Sequence, residues 1–203
     1  MRSIVRNLTE RGILRDPNIA EAFLAVDRAD FVPSNLKEYA YEDRPLPIGA
    51  GQTISQPQVV AFMLELLKPE RGDRILDVGS GSGWQTALLA HIVGDAGKVV
   101  AIERIPDLFA FGKRNCEKYG FNNIEFISGD ATQVSKPDGY FDRIIVAASS
   151  DRNVPETFKR ELRIGGTLVI PIGGSIFALK KIDEAHFSET EFPGFLFVPL
   201  VRN

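Results

Sequence analysis

Three glycines alternate in Arg74-Ile-Leu-Asp-Val-Gly-Ser-Gly-Ser-Gly-Trp84, directly after an apolar run. A run that ends this way reads as a buried strand turning sharply beneath a ligand. Gly79, Gly81 and Gly83 take positive φ without strain, and their backbone can approach a ligand where a side chain would intervene. Helical residues resume at Gln85-Thr-Ala-Leu-Leu-Ala90, so N–H groups at that helix start can face whatever fills the turn. The spacing is G-x-G-x-G rather than the dinucleotide G-x-G-x-x-G, and Trp84 stands where the third glycine of that fingerprint belongs. No Gly-Lys-Ser/Thr follows, so the P-loop pattern fails as well. A second apolar run, Lys98-Val-Val-Ala-Ile-Glu103, ends in a carboxylate about 20 residues further on, where an acid can accept both hydroxyls of a ribose. A third, Asn123-Ile-Glu-Phe-Ile-Ser128, ends at Gly129-Asp130-Ala131 and offers a short acceptor beside an adenine amino group. Asp77, at the carboxyl edge of the first strand, is placed to meet a cationic amino-acid moiety. The ligand that suits these strand ends is a nucleoside.

Together they resemble the S-adenosylmethionine site of class I methyltransferases. That resemblance implies S-adenosylmethionine as cofactor, with Asp77, Gly79, Gly81, Gly83, Glu103, Asp130 and Ala131 as its binding residues. Each feature alone also has a structural reading. The glycines can form a tight connection, and Asp77 can cap or pair locally. Trp84 reads as a packing residue at a helix start, although an indole face can also meet a sulfonium by cation–π attraction.

The elements needed to position these residues follow from hydrophobic periodicity. Ile4, Val5, Leu8 and Ile13 recur at helical spacing, as do Ile19, Phe23, Leu24 and Val26 after Asp16-Pro17, an N-cap followed by proline at the first helical position. Residues 39–57 hold several prolines and glycines without a sustained period and read as a long loop, a length that in a compact domain is usually functional or disordered. Pro57 opens a helix, and strands and helices then alternate: 74–78, 84–93, 98–102, 105–118, 123–128, 141–147, 155–162 and 167–171. Phe177–Ile182 returns as an antiparallel hairpin partner, and Phe195–Val201 reads as a last strand. The expected fold is α/β: a Rossmann-like, doubly wound, mostly parallel sheet of about seven strands, with an antiparallel C-terminal hairpin and an N-terminal helical extension. One catalytic domain spans 1–203, with helices and a substrate loop in 1–58 and the cofactor-binding core in 59–203.

Composition narrows the class. The chain has 203 residues, 44% hydrophobic and 25% charged, which is ordinary for one globular domain. A net charge of −3 without a long basic run argues against non-specific nucleic-acid binding, which depends on phosphate neutralisation. Cys116 is the only cysteine, so a reducing compartment is the default. His91 and His186 have no companion at metal-ligand spacing, so no metal is expected. No stretch has the length of a membrane span and the N-terminus lacks a signal-peptide layout; the expected location is the cytoplasm.

One family is matched along nearly the whole chain. Leu46-Pro-Ile-Gly-Ala-Gly-Gln-Thr-Ile-Ser-Gln-Pro57, with Phe31-Val32-Pro33, Ala40-Tyr41, the glycine turn, Ile102-Glu103-Arg104, Gly129-Asp130, Phe141-Asp142, Gly165-Gly166 and Phe197-Val198-Pro199-Leu200, resembles the protein-L-isoaspartate O-methyltransferase family. The resemblance implies methyl transfer from S-adenosylmethionine to the α-carboxylate of L-isoaspartyl residues in damaged proteins or peptides, initiating repair through a succinimide, and it leans toward a monomer. It assigns Ser55 as the active-site residue that orients the attacking carboxylate, and Thr53, Ile54 and Gln56 as substrate-binding. Neutral donors suit such a site, because they hold an anion without trapping it in an ion pair. The alternative reading of Ser55 is an N-cap for the helix opening at Pro57, Gln56 can satisfy loop backbone, and Ile54 can pack against the cofactor's methionyl end. Three departures stand out. Asp27-Arg28-Ala29-Asp30 occupies the place of the family's proline–arginine pair, Ala147-Ala-Ser-Ser-Asp151 stands near the expected substrate pocket where small apolar residues are more usual, and Gly173-Gly-Ser-Ile-Phe177 lacks a glutamine. An inward Asp151 would repel a carboxylate. The rival activities are methylation of a nucleobase or small molecule, for which Ala148–Asp151 lacks the usual Asn/Asp-Pro-Pro-aromatic run, and a catalytically silent adenosylmethionine-binding protein.

Overall fold

The alternation of strands and helices builds one seven-stranded sheet around the segment of alternating glycines. In the computed structural model, which describes residues 1–133, 136–151 and 153–201, helices α1 (Arg2–Glu10) and α2 (Pro17–Ala25) come first, followed by 3₁₀ turns at Arg28–Phe31 and Ser34–Tyr39. Strands β1 (Leu46–Gly49) and β2 (Gln52–Ile54) precede α3 (Pro57–Leu67). The core continues as β3 (Arg74–Val78), α4 (Trp84–Val93), β4 (Lys98–Glu103), α5 (Pro106–Glu117), β5 (Ile124–Ser128), β6 (Phe141–Val146), α6 (Glu156–Glu161), β7 (Leu162–Ile172), β8 (Ser175–Lys181) and β9 (Phe187–Pro193). At α2 the Asp16 carboxylate accepts the Asn18 N–H at 2.8 Å and Pro17 follows at the first position, as the sequence predicts.

The sheet order is β5-β4-β3-β6-β7-β8-β9, parallel from β5 to β7 and antiparallel for β8 and β9. From β3 the chain steps outward to β5 and then returns to β6 on the other side of β3. The carboxyl end of β3 is therefore the switch point, where such sheets open a crevice for ligands. The strand period of two sends alternate side chains to two cores. Ile75, Val99, Ile145 and Val169 join the layer of α3, α4 and α5, while Leu76, Val78, Val100, Ile102, Ile144 and Val146 join the layer of Phe158 and Leu162.

Two expectations change. The final strand is Phe187–Pro193, not 195–201. Its alternating Ser188-Glu189-Thr190-Glu191 is exposed, as befits a charged sheet edge, and carries little apolar signal. Residues 195–201 instead run beside the end of β6, where the Ser149 N–H donates to the Val198 carbonyl and the Leu200 N–H to the Ser149 carbonyl, both at 2.7 Å. Pro199 brings no N–H to a ladder. The second change is that the expected loop of residues 39–57 contains the β1–β2 hairpin. Leu46 pairs with Ile54 and Pro47 with Thr53, and Ala50 and Gly51 both have positive φ, the geometry of a two-residue type I′ turn. Leu46, Ile48 and Ile54 bury their side chains, which anchors this hairpin to the body of the domain. Among the described residues no helix is long and apolar enough to cross a membrane.

Candidate active site

A cleft of about 950 Å³, counting space open to solvent, lies over the carboxyl ends of β3, β4, β5 and β6. Its floor is Val78–Ser82 with Ala147 and Ala148, one side is Glu103–Ile105 with Gly129–Ala131, and the opposite side is the hairpin, through Ile48 and Gln52–Ser55. Residues 198–201 close one end. Stretches far apart in sequence thus meet over one switch point.

Glu103 organises the first side. Its Oε2 accepts the Gly81 N–H at 3.0 Å and its Oε1 accepts the Ile105 N–H at 2.8 Å, fixing the carboxylate between the glycine turn and the start of α5. A carboxylate oxygen has two acceptor positions, so each oxygen retains one for a hydroxyl. Asp130 Oδ1 accepts from the N–H and the Oγ1 of Thr132, both at 2.8 Å, holding this short acid on the cleft wall. Gly79 sits on the floor, where an added Cβ would meet only Ala147, at 3.9 Å. Backbone, a paired-hydroxyl acceptor and a short acceptor line one wall, the donor set that a nucleoside cofactor requires.

Asp77 and Gly83 are not part of the cleft wall. Asp77 shares the strand parity of Ile75, so it points into the helix layer, fully buried. There its Oδ1 accepts from Gln85 Nε2 at 2.7 Å and its Oδ2 from Thr86 Oγ1 at 2.6 Å. Burial raises this carboxyl to about 6, against the two hydrogen bonds that lower it and with Glu103 adding to the rise. Gln85 does line the cleft, so Asp77 reaches the cleft through that side chain. A Cβ on Gly83 would lie 2.7 Å from the Gly112 carbonyl oxygen and 2.9 Å from Cys116 Sγ, so this glycine permits α4 and α5 to close together. Burial raises the Cys116 thiol far above the ordinary range, which leaves it protonated and inert.

The hairpin wall has no charged side chain: Ile48, Gln52, Thr53, Ile54 and Ser55. Gln56 is off the wall and provides the N-cap position of α3 without a side-chain bond, so the capping role considered for Ser55 is not the one it fills. Asp151 is exposed and also off the wall, while Ala147 and Ala148 take the inward places. Trp84 is buried, its Nε1 donating to the Val26 carbonyl at 3.4 Å and its ring packing edge-on against Phe23. The cation over that indole is Arg28, 5.4 Å from the ring centre.

The sequence does not single out Arg28. It is wholly buried, and its Nη1 donates to the carbonyls of Ala40 at 2.7 Å and Glu42 at 3.4 Å, while Nη2 donates to those of Arg44 and Ser55, both at 3.0 Å. No periodicity marks it as a core residue. The Asp27 N–H, which a proline there would lack, donates to Tyr119 Oη at 2.9 Å, and the Asp27 carboxylate accepts from Ala29 N–H and Tyr41 Oη.

The family model described as Protein-L-isoaspartate(D-aspartate) O-methyltransferase matches residues 1–203. The chain belongs to this family. A protein-L-isoaspartate O-methyltransferase from Ignicoccus hospitalis is 40% identical over 99% of this chain and 97% of its own length, and one from Methanopyrus kandleri is 40% identical over 98% and 89%. The same architecture occurs in a Plasmodium falciparum structure described as a protein-L-isoaspartate O-methyltransferase in complex with S-adenosyl-L-homocysteine. It has a TM-score of 0.87 and 30% identity, covering 99% of this chain and 98% of that one.

Proposed function

We propose that this chain transfers a methyl group from S-adenosylmethionine to the α-carboxylate of L-isoaspartyl residues in proteins or peptides. The observation that carries the reading is the two-sided cleft: Glu103, Asp130 and glycine backbone on one wall, and the neutral hydroxyls of Thr53 and Ser55 on the facing one. Bound S-adenosylmethionine supplies an electrophilic methyl carbon on a good leaving group. The carboxylate that receives it has an ordinary pKa of roughly 4 and is already ionised at neutral pH, so no general base is needed. What the chain contributes is orientation, a term that reaches several kcal/mol when reacting groups are held in line. Ser55 and Thr53 donate to the carboxylate and aim one oxygen. Because no lysine or arginine stands on the hairpin wall, the anion is held without being neutralised.

Glu103 holds the ribose end, Asp130 and Ala131 the adenine end, and Gly79 and Gly81 bring the backbone to the middle. Asp77 acts from below through Gln85, and Gly83 through helix packing. Ile54 packs at the methionyl end and Gln56 supports the hairpin backbone. A cytoplasmic, monomeric enzyme acting on damaged peptides rather than nucleic acid completes the proposal, supported by the lone cysteine, the net charge of −3 and the family.

Transfer of labelled methyl to an isoaspartyl peptide, run beside its aspartyl twin, tests it. Base-labile product from the isomerised peptide alone is expected. Tight cofactor binding without turnover on either peptide would favour a silent binding protein, and turnover on a nucleobase or small molecule instead would favour the rival enzyme.

A further inference from the structure

Arg28 is a buried cation that, among the described residues, has no carboxylate in hydrogen-bond contact. Its four acceptors are all main-chain carbonyls, those of residues 40, 42, 44 and 55. Such a group is costly for folding, because desolvation of a guanidinium is repaid only when its donors are well used. Here Nε lacks a partner, so stability alone would favour an apolar residue of similar size. The carbonyls explain what the arginine does. Residues 40–45 precede the hairpin with no strand partner of their own, and Ser55 lies between β2 and α3, so inward carbonyls here have no ladder to join. One planar fork gathers both ends of the hairpin segment, and its Cζ lies over the ring of Trp84, the first residue of the helix that follows the glycine turn.

We propose that Arg28 is the positioning residue of the substrate hairpin: by binding the carbonyl of Ser55 together with those of residues 40, 42 and 44, and by its cation–π contact with Trp84, it fixes the serine's place opposite the cofactor wall. The assignment of Ser55 to substrate rests on the function proposed above; the ordering of the hairpin by Arg28 does not. Burial lowers the guanidinium to about 10, so it remains cationic at neutral pH, with the nearby Asp43 favouring the charge and Arg44 opposing it. Asp27 and Asp30, on the same turn, turn their carboxylates to Tyr41 and Tyr119 and do not pair with it.

The test uses R28K, which keeps the charge but loses the fork, and R28A with and without added methylguanidine. Four quantities are read: the Kd for S-adenosylhomocysteine, kcat/KM for the isoaspartyl peptide, hydrogen exchange across residues 40–56, and the emission of Trp84, the chain's one tryptophan. In R28K, kcat/KM should fall at least 100-fold while the Kd changes less than 5-fold. Exchange in 40–56 should rise at least 10-fold with strands β3–β6 still protected, and the Trp84 emission should shift. Methylguanidine should restore part of the activity of R28A. The proposal is overturned by R28K with kcat/KM within 3-fold of the parent, by exchange rising equally through β3–β6, or by variants that fail to fold, since each would make the role absent or global. Should the parent enzyme not methylate isoaspartyl peptides, the function falls, while selective exchange in 40–56 on R28K would still uphold the ordering role.

Discussion

Replacing the three turn glycines one at a time by alanine separates ligand contact from helix packing, because the same substitution meets different surroundings at each position. All three have positive φ, between 51° and 86°, so each alanine carries the left-handed penalty of about 1–2 kcal/mol. At Gly79 little else is added, since the new Cβ reaches only Ala147 at 3.9 Å on the cleft floor. At Gly83 the Cβ would overlap the Gly112 carbonyl at 2.7 Å and Cys116 Sγ at 2.9 Å, and Gly112 itself already approaches this turn so closely that its own Cβ would meet the Gly81 carbonyl at 2.6 Å. Overpacking of that kind costs typically about 1–3 kcal/mol more. The sum for G83A is about 2–5 kcal/mol, which at about 2–4 °C per kcal/mol for a chain of this size lowers Tm by roughly 10 °C, against about 5 °C for G79A. Cofactor affinity should run the other way. G79A puts a methyl on the floor of the proposed cofactor site and should weaken binding by well over 10-fold, whereas folded G83A, titrated well below its Tm, should lose less. Thermal unfolding and cofactor titration of the two variants decide the matter. A G83A enzyme with the parent Tm but abolished binding would refute the packing argument and return Gly83 to the cleft.

Three further outcomes are expected. S55A removes one hydrogen bond to a charged group, about 1.5–3 kcal/mol, so kcat/KM for the isoaspartyl peptide should fall about 10- to 100-fold with cofactor affinity kept; equal losses in both would remove Ser55 from the substrate side. E103Q keeps the shape but not the charge of the residue holding Gly81 and Ile105, and should raise the cofactor Kd at least 10-fold while kcat at saturating cofactor stays within a few-fold; unchanged binding in calorimetry would count against the ribose contact. The raised Asp77 carboxyl binds its proton more tightly folded than unfolded, so its stabilising protonation is complete below about pH 4 and is lost as pH rises through about 6. The unfolding free energy of the parent minus that of D77N should accordingly fall by up to about 3 kcal/mol between pH 4 and pH 7 in urea titrations, and a flat difference would show that the carboxyl is not raised.

How far the sequence carried the fold and the site depends on the range over which each determinant acts. The parallel strands and their helices were legible because β3, β4 and β6 are buried on both faces and announce themselves as apolar runs, and because the turn glycines are demanded by local backbone geometry. Glu103 and Asp130 were legible for the same reason: a residue at a strand's carboxyl end is placed by the strand alone. Asp77 also closes an apolar run, but it lies one residue short of Val78, and the strand period of two turns it to the helix layer beside Gln85 and Thr86, with Gln85 between it and the cleft.

The β1–β2 hairpin was harder. Its pairing relies on a type I′ turn at Ala50-Gly51, and alanine does not signal positive φ, so local chemistry read as loop. Strand β9 hid behind an exposed polar face, while residues 195–201 looked strand-like because the apolar Val198, Pro199 and Leu200 cover a cleft rather than join a ladder. Arg28 is the extreme case, since its acceptors lie 12 to 27 residues away and are backbone atoms, to which side-chain patterns are blind. The wall of Glu103 and Asp130 is therefore written in local sequence, whereas the hairpin wall is held by a contact visible only once the chain is folded. A substitution that leaves every residue of the cleft lining intact, such as R28K, is expected to disrupt substrate alignment while cofactor binding persists.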